Sequence, residues 1–441
     1  MRSADFIIIG GGPGGYEIAA DLAADGRKVI LIERDRLGGT CLNRGCIPTK
    51  CLCASASAAM TVADAASYGV DVPAFTLDYG RAVERAAAVM DQLRGGIEAM
   101  LRDVEVIIGE ASLKPDKVVV VNGEHLTAGR IIIATGSRPA VPDIPGTSLA
   151  VTSDGFLSLT DVPRRVAISG GGVIGLEFAS VLAAFGREVT VLEFCKEVLP
   201  QFDGEIAKRL RTTLSRRGIK FLTSTRVTAI EKGLRIIYEG KRGNDSLDCD
   251  LAVMAVGRHP VMPQGIEAAG IELDGRGFIK VDELMETSVG GIYAVGDVNG
   301  LCMLAHAASA QARRASGIDV NLDIIPSAVF TSPEAAMVGM TEDRARKKGH
   351  ELMIGKASFA ANGKALAMAE SDGTVKIIFD RESGLILGCH IIGPHAADLI
   401  AEVAALMFGM TTREELAEKL VHGHPTLSEA LQDASRNARS R

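Results

Sequence analysis

Two cysteines, Cys41 and Cys46, stand five positions apart in the stretch GGTCLNRGCIPTK, residues 38–50. A disulfide between them needs Cα atoms within about 7 Å. Five residues of straight helix rise about 7.5 Å, and five of strand rise further still. A bridge therefore requires a bent turn, for which Gly45 supplies backbone freedom while Pro48 is compatible with an irregular or first helical turn. Such a bridge closes a short loop on itself and staples no distant elements, so it adds little stability and favours a redox role. Eight cysteines in 441 residues are too sparse for a disulfide scaffold. Adding Cys51 and Cys53 gives C-x4-C-x4-C-x-C, which lacks the C-x2-C chelating pairs of zinc and iron–sulfur sites, so no metal site is assigned. Two inert buried thiols are a poor match to a loop this rich in glycine and polar residues. Cys195, Cys249, Cys302 and Cys389 sit in apolar stretches and read as core.

Reducing equivalents held on a thiol pair need an acceptor, and the chain carries two candidate cradles for one. Gly10-x-Gly12-x-x-Gly15 follows the apolar run Phe6 to Ile9 and opens an alanine-rich helix that leads to the strand VILIE, ending at Glu33. In that pattern the first glycine permits the turn, the second lets backbone N–H groups approach a pyrophosphate, the third admits close helix packing, and the acid receives a ribose diol. Gly170, Gly172, Gly175 and Glu193 repeat the design at an offset of 160 residues. Two dinucleotide sites follow. Glu193 would repel a 2′-phosphate, and only Lys196 follows it in place of an arginine pair, so the second site favours NAD over NADP.

Around these motifs the chain divides at proline-rich joints, RPAVPDIPG (138–146), GRHPVMPQG (257–265) and IIPSAVFTSPE (324–334). The expected fold is α/β: two Rossmann-like dinucleotide-binding domains and, after residue 326, an α+β domain of strand-like stretches and the helical LIAEVAALMFGM. The net charge of −7, with basic residues scattered, offers no footprint for nucleic acid. MRSADFIIIGGG reaches a strand within six residues, which leaves no room for a signal peptide. Charges interrupt every apolar run short of the ~18 residues a spanning helix needs. The expectation is a cytoplasmic protein without a membrane partner.

With these residues placed, the chain resembles the class I flavoprotein disulfide reductases, and within them the dihydrolipoamide dehydrogenase branch. The resemblance runs almost the whole length through GGGPGGYEIA, GGTCLNRGCIPTK, IIIATGSRP, GGGVIGLEFA, AVGRHP, IYAVGDV, FTSPEAAMVG and HGHPTLSE. It implies an FAD-binding domain over 1–140 completed by 263–325, an NAD-binding domain over 141–262, and a dimerisation domain over 326–441 that makes a homodimer. FAD would be held by the first glycine turn, Glu33, Arg34, Gly39, Thr40, Lys50, Gly109, Gly136, Asp297 and Ala305. NAD would be held by the second turn, Glu193, Val227 and Gly257. Glu177 would pair with Lys50, although each alone reads as an ordinary surface charge.

The resemblance also implies dihydrolipoamide as the thiol substrate, Cys41 and Cys46 as the redox disulfide, and His424 with Glu429 as an acid–base pair reaching the cysteines of the partner subunit. From residues alone His422 would serve as well as His424. The physical case favours a supported base, because moving a proton from a thiol near pKa 8.5 to an imidazole near 6.5 is uphill by about 2 units, or ~2.7 kcal/mol. A carboxylate on the far ring nitrogen narrows that gap. Pro425 breaks the chain direction, so a following helix could turn Glu429 back. Glutathione- or CoA-disulfide reduction, and a flavin redox sensor without catalysis, remain the alternative readings.

Overall fold

The computed structural model describes residues 2–440. At its centre lies a sheet in the order Glu105–Ile108, Val29–Glu33, Arg2–Ile9, Glu124–Ile133, Val118–Val121 and Ser112–Lys114. The first four strands are parallel, with Ile7 opposite Ile30 on one side and Ile131 on the other. Their unbroken apolar runs follow from burial on both faces, and Ile7, Ile30 and Ile131 have no exposed surface. The strand Ile292–Ala294 returns to this sheet and pairs in parallel with Ile131–Ile133, so the polypeptide leaves the first unit and re-enters it later.

Between those passages lies the second module. Its parallel sheet runs Lys220–Thr223, Glu188–Glu193, Arg165–Ser169, Leu251–Met254, Val151–Thr152, and an antiparallel meander of three strands, Arg226–Glu231, Arg235–Gly240 and Gly243–Asp248, accompanies it. The repeat read at an offset of 160 residues is visible as structure: helices Pro13–Ala24 and Val173–Ala184 each follow a glycine turn and lead to a strand ending in glutamate. A two-stranded ribbon, Ser137–Pro139 against Arg258–Pro260, joins the two units at the proline-rich joints.

The C-terminal unit is an antiparallel sheet in the order Ser327–Val329, Glu334–Gly339, Ile386–Gly393, Thr374–Asp380, Leu352–Ser358, Arg439–Ser440. Helices Ala396–Phe408 and Glu429–Arg436 cover it, closing a core that includes Val338, Phe379, Ile391, Val403 and Leu431. Lys376 of this sheet, its side chain 3% exposed, reaches Asp203 and Glu342 at 2.9 Å each. Asp203 caps the second-module helix Gly204–Arg216, so a buried ion cluster fastens the second module to the C-terminal unit.

Gly39–Ala63 reaches a spanning length and hydropathy by composition alone, although Arg44 and Lys50 interrupt it. It is in fact two helices, Gly39–Arg44 and Cys46–Ala63, broken at Gly45. The longer one packs against Tyr79–Met100 and Val173–Ala184. Its apolar content serves interior contacts, as Cys51, Leu52, Ala56 and Ala59 are buried.

Candidate active site

The bend between these two helices shapes the cysteine site. Gly45 takes φ −150° and ψ −112° between them, and a Cβ there would lie 2.9 Å from the Thr40 carbonyl oxygen. Only glycine lets the turn close this tightly. Cys41 sits in the short helix and Cys46 opens the long one, where the unpaired N–H groups of the first turn favour a thiolate. The Cys46 thiol is lowered to about 7, chiefly by the hydrogen bond from the Cys41 thiol and, against the cost of burial, by the Lys50 ammonium. The same contact with Cys46, reinforced by burial, drives the Cys41 thiol strongly upward. The pair is thus polarised, Cys46 toward the thiolate and Cys41 toward the thiol.

One turn beyond Cys46, Lys50 places its Nζ 2.9 and 3.0 Å from the two carboxylate oxygens of Glu177. Glu177 is 4% exposed and also accepts the Phe330 backbone N–H at 2.9 Å, while Lys50 Nζ lies 4.4 Å from the Phe330 ring centroid. These two residues, ordinary surface charges when taken alone, form a half-buried pair that links both modules and the C-terminal unit.

The glycine turns are built alike. Gly11 N–H donates to Glu33 Oε2 at 2.6 Å and Asp35 N–H to Oε1 at 2.8 Å; Gly171 and Cys195 do the same for Glu193 at 2.5 and 2.6 Å. A Cβ on Gly15 or Gly175 would fall 1.9 or 2.0 Å from the carbonyl oxygen of Gly10 or Gly170, so each helix can approach its turn only because the third glycine has no side chain. Gly12 and Gly172 face open space instead, with no atom nearer than 3.8 Å to a built Cβ. Backbone N–H groups there are free to approach a pyrophosphate.

A single groove of about 1740 Å³ runs past both turns and the cysteines, more than the roughly 300–1,000 Å³ of a pocket for one ligand. On the first module's side it is lined by Gly10, Gly12, Glu33, Arg34, Gly39, Thr40, Cys41, Cys46, Lys50, Gly109, Gly136, Asp297 and Ala305. On the second module's side it is lined by Gly170, Gly172, Glu177, Glu193, Val227 and Gly257. Gly15 and Gly175 are buried, packed against the turns. The groove's length, the two open glycine turns and the two buried strand-end carboxylates fit a pair of dinucleotides.

Other groove residues escaped the sequence reading. Arg258 donates from Nε to Ser137 Oγ at 2.6 Å and from Nη2 to the Ser137 carbonyl at 2.9 Å, and Ser137 Oγ in turn donates to Asp297. Asp297 is thereby oriented from both modules. No local pattern announces this relay, because Ser137 and Arg258 meet only through the ribbon. The core reading of four cysteines is corrected in part: Cys249 and Cys389 are buried, but Cys195 and Cys302 are half-exposed and line the groove. The turns that follow Glu193 and Asp297 carry them to its edge.

His424 and Glu429 are not among the groove's lining residues. They form their own unit on the C-terminal surface, with His424 Nδ1 2.9 Å from Glu429 Oε1 and Thr426 N–H donating to Oε2 at 2.8 Å. Those contacts, the Thr426 N–H first, hold the Glu429 carboxyl below its usual range. The His424 side chain is 80% exposed. His422 differs, being 6% exposed, with Nε2 2.8 Å from Glu402 Oε1, while Ser428 Oγ donates to Glu402 Oε2 at 2.7 Å. The two histidines, interchangeable by sequence, are separated by the fold into one inward and one outward group.

Residues 4–312 match the family model described as pyridine nucleotide-disulphide oxidoreductase, and residues 325–435 match the dimerisation domain of the same family. The dihydrolipoyl dehydrogenase of Thermus scotoductus is 38% identical across 99% of this chain and 97% of its own. That of Chlamydia pneumoniae is 39% identical across 96% and 95%. Among solved structures, the HOCl-induced flavoprotein disulfide reductase RclA from Escherichia coli, as its Cu(II) complex, superposes with a TM-score of 0.87 at 29% identity, covering 99% of both chains. Groove, cysteine pair, paired glycine turns and these likenesses agree: the chain belongs to the pyridine nucleotide-disulphide oxidoreductases, enzymes that work with FAD and NAD(H).

Proposed function

We propose that this chain oxidises dihydrolipoamide to lipoamide and passes the two electrons to NAD⁺. The observation that carries the reading is the placing of Cys41, Cys46 and the Lys50–Glu177 pair in one groove that both dinucleotide turns also line. The full-length likeness to dihydrolipoyl dehydrogenases supports the choice of substrate.

On this reading residues 1–140 and 263–325 hold FAD, residues 141–262 hold NAD, and residues 326–441 build the homodimer. The Gly10 turn, Glu33, Arg34, Gly39, Thr40, Gly109, Gly136, Asp297 and Ala305 would seat the flavin dinucleotide, and the Gly170 turn, Glu193, Val227 and Gly257 the nicotinamide one. His424 of the partner subunit takes a proton from one substrate thiol, and the resulting thiolate attacks Cys41 of the oxidised pair, breaking the Cys41–Cys46 bond. Cys46 leaves as a thiolate, which Lys50 stabilises. The second substrate thiol then displaces Cys41, its proton passing to the departing Cys41 sulfur, and closes the lipoamide disulfide. Glu429 holds the imidazole in place and balances its positive charge. FAD, when bound, supplies acceptance of this electron pair and hydride transfer to NAD⁺. A cytoplasmic location belongs to the same reading, since eight cysteines in 441 residues are too sparse for the disulfide scaffold of an oxidising compartment.

Cys46→Ser is expected to abolish dihydrolipoamide-linked NADH formation while flavin stays bound; loss of flavin with it would assign the cysteine a structural role. A panel of lipoamide, glutathione and CoA disulfides, each with NADH and NADPH, tests the substrate. A glutathione or CoA preference would overturn the reading, and turnover of none of them would leave a sensor.

A further inference from the structure

The offset of 160 residues maps Gly10, Gly12 and Glu33 of the groove onto Gly170, Gly172 and Glu193, and it maps Arg34 onto Phe194. Each directly follows the glutamate that ends its strand, and each glutamate is held in the same frame of two backbone N–H groups. The chain spends few aromatics, with 13 Phe, 5 Tyr and no Trp. Yet Phe194 is 71% exposed, the most exposed aromatic among the described residues. It does not sit on an open outer face: it lines the groove together with Glu193, Cys195, Arg226 and Val227.

A strand-end carboxylate in this module takes the adenosine ribose diol of a dinucleotide. The base on that same ribose must then lie over the residues just beyond the strand, where Phe194 offers the one bare ring. Flat rings stack on one another without regard to hydrogen-bonding pattern. We infer that Phe194 is the platform on which the adenine of the nicotinamide dinucleotide stacks, an affinity-giving contact for the adenylate half of NAD. The inference rests on the reading of the second module as the NAD site. At the same place in the first module Arg34 presents a guanidinium plane, so the two cradles differ in the surface each offers its base.

The test uses holoenzyme and two probes, NAD⁺ and nicotinamide mononucleotide, which lacks the adenylate half. Phe194→Ala is expected to raise the Kd and KM for NAD⁺ about tenfold, the scale of one lost base–aromatic stack, and to shift the Kd for the mononucleotide less than about twofold. Phe194→Tyr should restore the NAD⁺ values. Because the chain has no tryptophan, Phe194→Trp supplies a single indole, whose emission should be quenched by NAD⁺ and by AMP but not by the mononucleotide. Equal weakening of both probes by Phe194→Ala, or undiminished NAD⁺ binding, would overturn the platform. A wild-type enzyme that binds no NAD⁺ would instead sink the reading of the module, and the platform with it.

Discussion

Lys50 Nζ and the carboxylate of Glu177, 2.9 Å apart across 127 residues of sequence, tie the cysteine helix of the first module to the opening helix of the second. The ammonium serves two partners, since it also draws the Cys46 thiol downward. Replacing it separates those roles.

Lys50→Met leaves a Glu177 side chain that is 4% exposed without its counterion, at an expected cost of about 3 kcal/mol. It also removes one of the influences that hold Cys46 at about 7, below the thiol value near 8.5. Because the folded value is depressed, thiolate stabilisation of the reduced protein is fully present above the unfolded value and is lost as pH falls through about 7. The variant should move the midpoint upward, read as the pH dependence of thiolate ultraviolet absorption in the reduced protein. An unmoved midpoint would show that Lys50 serves Glu177 alone.

His424→Gln should lower dihydrolipoamide-linked NADH formation on the order of 10³-fold or more. Electron transfer from NADH to an artificial acceptor that bypasses the cysteines should survive. Since His424 lies outside the groove that holds Cys41, co-folding this variant with Cys46→Ser chains should yield mixed dimers with one intact site each. Activity recovered on mixing two inactive proteins is the signature. Its absence would confine each site to a single chain.

Gly15→Ala and Gly175→Ala place a methyl 1.9 and 2.0 Å from the carbonyl oxygens of Gly10 and Gly170, so each turn must open. Gly15→Ala should yield protein that purifies with little flavin absorbance. Gly175→Ala should stay yellow and lose NAD⁺ affinity. The same phenotype from both would contradict separate cradles.

Lys376, with Asp203 and Glu342, should control acid stability. Burial is the largest single influence and opposes ionisation of both carboxyls, but Lys376 together with the Glu205 N–H at Asp203 and Arg346 at Glu342 outweighs it and holds them below their usual range. Their contribution is present above the unfolded value near 4 and disappears as pH falls through the lower folded values. Lys376→Met should cost about 3 kcal/mol at neutral pH and flatten the loss on acidification, followed by denaturant titration across that range.

Much of this molecule can be read without coordinates, because its signals are local. A glycine turn, the helix after it and the acid closing the next strand lie within some thirty residues, and the bend at Gly45 follows from geometry between neighbours. The shared groove itself, and its approach to the cysteines, depend on chain return: Ile292–Ala294 must rejoin the first sheet before Asp297 can face Ser137.

What no periodicity could reveal are pairings made by burial at long range. Glu177 and Lys50, Arg258 and Ser137, and Lys376 and Asp203 each join residues more than a hundred positions apart. A charged side chain looks the same in sequence whether solvent or a counterion will surround it. His422 and His424 show the same limit over two residues, one turned onto Glu402 and the other outward. Residue types and local spacing determined which chemistry this chain can perform. Only tertiary packing decided which charges are desolvated, and a desolvated charge is compelled to take a specific partner.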